Sequence, residues 1–349
     1  MAITQLENFS GVQTGIELSS IATAAGAGSL GLPGALPAIT AGSSWSPYQD
    51  SFALAVEKVG NKYWLGGGTG NGASNLFFQF AMNIAHLTPQ AANSFVIGIR
   101  YKRKASALAA LAIPLFRGAV VYPSYTVPAL ITEWYVEMVF NRTDRTVSVY
   151  VDGRFMVTVT ITNGTDVNAL LANTWQIGFP VSGTERLYIT DIYATADMGD
   201  DTPSGRLGPQ DISDVPMQVV SSQNWDVTNI ANVLGWKDHA ADAGKYVVGN
   251  GANAVLKLKP VDGYVLPIQS NVNGIMLRSR ASYTQGIPAN LGGKVVRGTH
   301  EDTRDLVLNP TVSLGNPALA VANNSHTNDE SLPATALTGL EVSLTVLAR

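Results

Sequence analysis

Between Trp134 and Tyr193 the sequence alternates apolar and polar residues with a period of two, and no other feature restricts the fold as strongly. In EWYVEMVFN, Trp134, Val136, Met138 and Phe140 take one side while Tyr135, Glu137, Val139 and Asn141 take the other, as in a strand with one face in a core. RTVSVYV follows, and then Asp152-Gly153, a dipeptide that tolerates the left-handed backbone of a two-residue hairpin turn. The pattern predicts a hairpin in which Val147, Val149 and Val151 form one arm and Phe155, Val157, Val159 and Ile161 form the inward set of the next. Past a loop, WQIGFPVSGTERLYITDIYATAD extends the same signature. Helical signal is weak: residues 105–111 are the best short candidate, and Pro114 soon ends it. Recurrent strands separated by turn residues, with scarcely any helix, predict an all-β fold and within it an antiparallel β-sandwich.

What such a chain can do is narrowed by its charge. Only 14% of its 349 residues are Asp, Glu, Lys or Arg, against roughly a quarter in average soluble domains. A surface this poor in charge suits contact with neighbouring subunits, because charge is what keeps proteins apart. A homo-oligomer or a larger assembly is therefore expected. The densest basic cluster, Arg100, Lys102, Arg103 and Lys104, reads as the solvated edge of a strand. A nucleic-acid groove calls for more basic residues interleaved with aromatics, so nucleic acid is not expected as the main ligand. There is no cysteine, which removes disulfides and thiolate metal sites. The first residues, MAITQLENFSGVQTG, lack the basic and apolar regions of a signal peptide, and no apolar run approaches the ~20 residues of a membrane span. Synthesis in the cytoplasm without secretion or membrane insertion is the expectation.

Three segments are anticipated along the chain. Residues 1–50 are rich in Ala, Gly, Ser and Pro and read either as an irregular arm or, equally, as short strands joined by wide turns. Residues 51–215 carry the sandwich, opening on a hairpin with Gly60-Asn61 as its turn. Residues 216–349 have strand patterns of their own, ending on LEVSLTVLA, and form a second, smaller β-rich domain. The connection at 198–215, MGDDTPSGRLGPQDISDV, is acidic and contains Pro and Gly. Within and beside it, Asp197, Asp200 and Asp201 could supply oxygen ligands to calcium, although their spacing fits no EF-hand and a solvated turn explains them more simply.

Catalytic constellations are hard to find. Gly68, Gly70 and Ala73 fit a loose phosphate-loop spacing, but no Gly-Lys-Ser/Thr follows, and a wide strand-connecting loop is the simpler reading. His86, His239, His300 and His326 are far apart in sequence and none has a second ligand at metal-binding spacing. Glycosidases need paired carboxyl groups. The candidates on one strand, Glu133 and Glu137, are four residues apart with no acid between them, and Asp191 in LYITDIY stands alone. All three read as structural, and no cofactor is expected. Trp45, Tyr48, Tyr122 and Tyr125 lie in Pro- and Ser-containing stretches where rings could stack on sugars or fill subunit contacts, the latter being favoured.

The run RLYITDIYATADMGDD followed by SGRLGPQDI resembles a pattern in virion proteins of tailed bacteriophages that carry a laminin-G or concanavalin A-like sandwich, and VSVYVDGRFMVTVT is similar to that family's strand bearing V-VDG. SLPATALTGLEVSLTVL is similar to its C-terminal strand region. The chain departs from the family in its expanded Ala/Gly-rich beginning and in lacking a Trp near the C-terminus. The resemblance implies a concanavalin A-like jelly-roll sandwich in a structural protein of the tail, its fibres or its baseplate. That protein would be located in the virion and would act by assembly with itself and with other virion proteins. A host-glycan-binding adhesin is the alternative, ahead of a head-decoration protein or a glycosidase.

Overall fold

The computed structural model describes residues 2–8, 38–41, 54–67, 75–81, 94–104, 110–117, 121–141, 143–162, 174–180, 186–196, 205–234, 247–265, 271–273, 275–281, 289–297, 300–306, 318–324, 332–333 and 339–348. The chain is all-β with antiparallel sheets, and it divides into two compact units, Met1–Ile212 and Ser213–Arg349.

In the first unit, the strands in chain order are β1 (Ala2–Glu7), β2 (Ala38–Ala41), β3 (Leu54–Val59), β4 (Lys62–Gly67), β5 (Asn75–Ala81), β6 (Ser94–Lys104) and β7 (Leu111–Arg117). They continue with β8 (Val121–Val127), β9 (Glu133–Asn141), β10 (Thr146–Val151), β11 (Arg154–Thr160), β12 (Thr174–Pro180) and β13 (Arg186–Ala196). The larger sheet has the order β11-β10-β9-β6-β13-β4-β3, with β1 also pairing β13, and the smaller has the order β2-β5-β12-β7-β8. β1 and β2 therefore lie in the stretch for which an arm and short strands were equal readings. Of the weak helical candidate, Leu111 belongs to β7, and residues 105–109 lie outside the described residues.

The alternation in β9 is real, yet every residue from Trp134 to Phe140 is buried. Trp134, Val136, Met138 and Phe140 share a face with Phe95, Ile97, Ile99 and Tyr101 of β6, where the Phe95 and Phe140 rings stack at 4.6 Å between centroids. The opposite face is covered as well, by Tyr135, Val139, Val96 and Tyr193, against which Leu6, Tyr150 and Leu207 pack. Fully buried apolar side chains contribute about 1.5–3 kcal/mol each, so β9 anchors hydrophobic layers on both of its sides.

The hairpin turn forms as expected, with φ of 47° at Asp152 and 79° at Gly153. What the second arm does is different. β11 is the outermost strand of its sheet, and its ladder to β10 shifts at Met156, so that Val157 opposes Val149 but Phe155 opposes Tyr150. This bulge sends Phe155 to the other face from Val157 and Val159, correcting the expectation of one inward set. Of the four residues in that set only Ile161 is buried. The basic cluster is corrected too: β6 lies between β9 and β13, and Arg103 is only 2% exposed. A strand in mid-sheet has no solvated edge to offer.

The second unit is built on a five-stranded antiparallel sheet, with Val255–Pro260 beside Leu340–Ala348 near its middle. Leu256, Leu258, Leu340 and Val342 form its buried centre, with Met217, Val219, Trp225 and Tyr264 packed around them.

One close approach on the larger sheet gives a test. Gly98 of β6 lies between Glu137 of β9 and Tyr193 of β13 in the same cross-strand row. A Cβ added at Gly98 would lie 2.0 Å from Tyr193 Cε1, so only glycine lets the ring lie across β6. Gly98→Ala is expected to cost at least about 1–3 kcal/mol of unfolding free energy by overpacking. In a Tyr193→Ala background the same substitution should cost far less, which chemical denaturation of the four proteins will show.

Candidate functional site

The concentration of ionisable groups in the first unit lies on the Tyr135 face of the larger sheet, beneath the segment Gly205–Ile212. Two carboxylates organise it. Glu137, 1% exposed, stands on β9 and accepts hydrogen bonds from the Tyr193 hydroxyl, from the Gly208 N–H at 2.9 Å, and from Arg206 Nη2 at 2.9 Å and Nε at 3.2 Å. The Tyr193 hydroxyl in turn accepts the Leu207 N–H at 3.0 Å. Burial first, and then the adjacent Glu137 carboxylate, push the Tyr193 phenol far above its ordinary range. It stays protonated and works as a donor.

The second carboxylate, Asp191, is fully buried within β13. Its backbone is left-handed, with φ of 47°, and the β6–β13 register shifts between Thr190 and Tyr193 around it. At this bulge the outer neighbour of β13 changes from β4, paired at Tyr188 and Ile189, to β1, paired from Ile192 onward. Asp191 Oδ2 accepts from Lys62 Nζ and from Arg100 Nε at 2.7 Å, while Oδ1 accepts the Ile212 N–H at 3.1 Å. Burial pushes the Asp191 carboxyl up, against the downward pull of Lys62 and Arg100. Burial also works to lower the Arg100 guanidinium, but Asp191, Glu133 and Asp211 together hold Arg100 above its ordinary value. The acid has lost all its water and the arginine only part, so desolvation weighs more on the acid.

Gly205–Ile212 is thereby a strap. Thr195 Oγ1 donates to the Gly205 carbonyl at 2.8 Å, Arg100 Nη2 donates to the Gln210 carbonyl, Lys62 pairs with Asp211, and Asn8 Nδ2 donates to the Ile212 carbonyl at 3.3 Å. The Arg206 guanidinium also lies 3.6 Å from the Tyr150 ring centroid, and Phe155 meets that ring edge-on. Chemically the arrangement saturates its acids. Every hydrogen bond to Glu137 comes from Tyr193 or the strap, and Glu133, 43% exposed at its side chain, pairs with Arg100 at 3.1 Å.

Of the predicted site residues, Tyr122 and Tyr125 lie on β8 of the smaller sheet. Tyr125, on the edge strand β8 opposite Ile113, is half-buried, and burial together with the Asp152 carboxylate pushes its phenol up. Tyr122 sits opposite Phe116 on the same strand. Trp45 and Tyr48 lie outside the described residues, as do Asp197, Asp200 and Asp201, the loop with Gly68, Gly70 and Ala73, and His86, His239 and His326. His300 opens the strand His300–Leu306. Among the described residues, no three His, Asp or Glu side chains converge as metal ligands. Sequence reasoning missed Arg206, Gly208 and Ile212 as partners of buried acids. The available signal was Asp191 itself, a lone carboxylate inside an otherwise apolar strand, which has to find a partner if it is buried.

No family model matches the chain and no curated protein matches it in sequence. Similar solved structures include a sialidase, at 12% identity and TM-score 0.29 over 45% of this chain, which spans only 17% of that enzyme's length. They also include a carbohydrate esterase from Shiga toxin-encoding bacteriophage phi24B, at 12% identity and TM-score 0.30 over 45% of this chain and 88% of that one. A third is the binding domain of botulinum neurotoxin DC in complex with rat synaptotagmin II, at 10% identity and TM-score 0.29 over 90% of both chains. Similarities this low carry no activity over to this chain.

The two glutamates of β9 make opposite predictions. Glu137→Ala strands buried donors and is expected to lower the unfolding free energy by about 3–5 kcal/mol. Glu133→Gln touches one exposed pair and should cost less than about 1 kcal/mol. Urea titrations of the two variants measure both.

Proposed function

We propose that this chain is a non-catalytic structural subunit of a tailed-bacteriophage virion, from the tail or its fibre or baseplate apparatus, and that it acts by protein–protein contact, first with copies of itself. The observation that carries this reading is β11. Phe155, Met156 and Val157 are 58%, 49% and 40% exposed on a strand at the sheet edge. No charged residue or proline occurs from Phe155 to Ile161. Exposed edges of monomeric proteins are ordinarily blunted by charge, proline or covering segments. The opposite edge of the same sheet, β3, carries Glu57 and Lys58. β11 has only Arg154 at its start and the bulge at Met156 as guards, and its three exposed apolar side chains support a surface that is covered in the assembled state. Glu137 and Asp191 are committed to the strap, which supports a role without turnover, and the resemblance of SGRLGPQDI and its neighbours to phage virion proteins supports the setting.

Host-glycan binding is the second reading, favoured by Tyr125 beside Asp152. An aromatic ring next to a carboxylate acceptor offers a sugar both a stacking surface and a hydrogen-bond partner. The glycan and neurotoxin-receptor names among the structural similarities agree in kind but add no weight.

Light scattering coupled to size exclusion tests the first reading. A discrete oligomer is expected, and Phe155→Lys with Val157→Lys should convert it to monomer without loss of β-sheet signal. An unaltered monomer in both proteins removes the assembly reading. Titration with host surface polysaccharide tests the second: saturable binding that is lost in Tyr125→Ala is its expected result.

A further inference from the structure

β1 and the strap run in the same direction along β13. β1 starts at Ala2 opposite Ala196 and ends at Glu7 opposite Ile192. The strap starts with Gly205 tied to Thr195 and ends with Ile212 tied to Asp191. Their ends meet where Asn8 Nδ2 donates to the Ile212 carbonyl. The chain thus enters the first unit at one end of β13 and leaves it for Ser213 at the other.

Tension along the backbone draws Ala2 back past Ala196 and Ile212 forward past Asp191. The two segments are pulled in opposite senses along a common axis. Each is then loaded in shear, so its bonds share the force and have to fail together. A segment peeled from its end loses its bonds one at a time. The strap's share of these bonds is the stronger kind, because Arg206 on Glu137, Asp211 on Lys62 and the Gly208 and Ile212 N–H groups on the Glu137 and Asp191 carboxylates are charge-assisted. Asp191 itself has no exposure to water that could replace a lost partner.

We propose that the strap and β1 together form a mechanical clamp, with Asp191 and Glu137 as its fastening points, which holds the first unit folded when tension reaches it through the backbone. The Asp191 bulge has a purpose in this arrangement. It turns the carboxylate out of the strand's regular alternation at the handover from β4 to β1, where Lys62 and Arg100 can meet it and the Ile212 N–H can close on it. The clamp does not depend on the assembly or glycan readings, since it concerns only how the unit carries force.

Single-molecule force spectroscopy on the full chain tests it, with resistance under tension governed by the unfolding rate rather than by equilibrium stability. The chain has no cysteine, so Arg154→Cys gives a unique handle at the exposed start of β11. Pulled through residues 1 and 349, the first unit should give a high-force event. Pulled through residues 154 and 349, it should begin to yield at distinctly lower force as β11 peels from its edge. Asp191→Ala, which removes the acceptor of the Ile212 N–H, should lower the high-force event, and Asp211→Asn, which removes the outer pair with Lys62, should weaken it in a protein that folds normally. Both should leave the peeling force unchanged. Equal forces in the two directions for the unsubstituted chain, or substitutions that lower both forces together, would overturn the clamp.

Discussion

The first unit depends on the satisfaction of two carboxylates that lie inside it. A buried ionised acid without partners is far more costly than the net stability of a domain can absorb. Glu137 is therefore tolerable because the chain returns, after β13, to lay Gly205–Ile212 over it, and Asp191 because Lys62 and Arg100 pair with it and the Ile212 N–H closes on it. The dependence runs both ways. The strap has little regular structure of its own, and it is held by the N–H groups and side chains that it offers to those acids.

The same constraint reaches across the sheet. Tyr193 meets Glu137 two strands away because Gly98 leaves the intervening strand bare, and Tyr135 donates its hydroxyl to the Asp191 carbonyl at 2.9 Å from the far side. Burial of rings and satisfaction of polar atoms are thus achieved by one set of side chains. On the Trp134 face the layer carries stacked aromatic pairs, with Arg103 of β6 buried at its end. Both sides of the sheet bury apolar side chains, and the Tyr135 side also holds the polar contacts that fix where the chain leaves.

This arrangement bears on function through what remains available at the surface. Glu137 and Asp191 are enclosed and Glu133 is exposed beside Arg100, whereas the apolar side chains of β11 are open to solvent at the sheet edge. Few charges and an apolar sheet edge are what the proposed assembly role rests on, and the strap over β13 is what the proposed clamp rests on. Those attributes come from packing and connectivity rather than from any single reactive group.

Much of the strand framework was legible in the sequence. Alternation marked β9 and β10 and Asp152-Gly153 marked the turn, because these are local properties of pattern. The face taken by Phe155 was not legible, since a one-residue bulge at Met156 reverses the alternation and is fixed only by pairing with β10. The burial of Arg103 was equally hidden, because strand order in the sheet, not strand sequence, decides which ends meet water. The site shows the same limit most plainly. Sequence set Asp191 apart as a lone acid in an apolar strand, but Lys62, Arg100 and Ile212 are separated from it by 129, 91 and 21 residues. Local chemistry determined that such a carboxylate needs partners, and only the tertiary structure, by bringing four distant segments to one point, decided which ones.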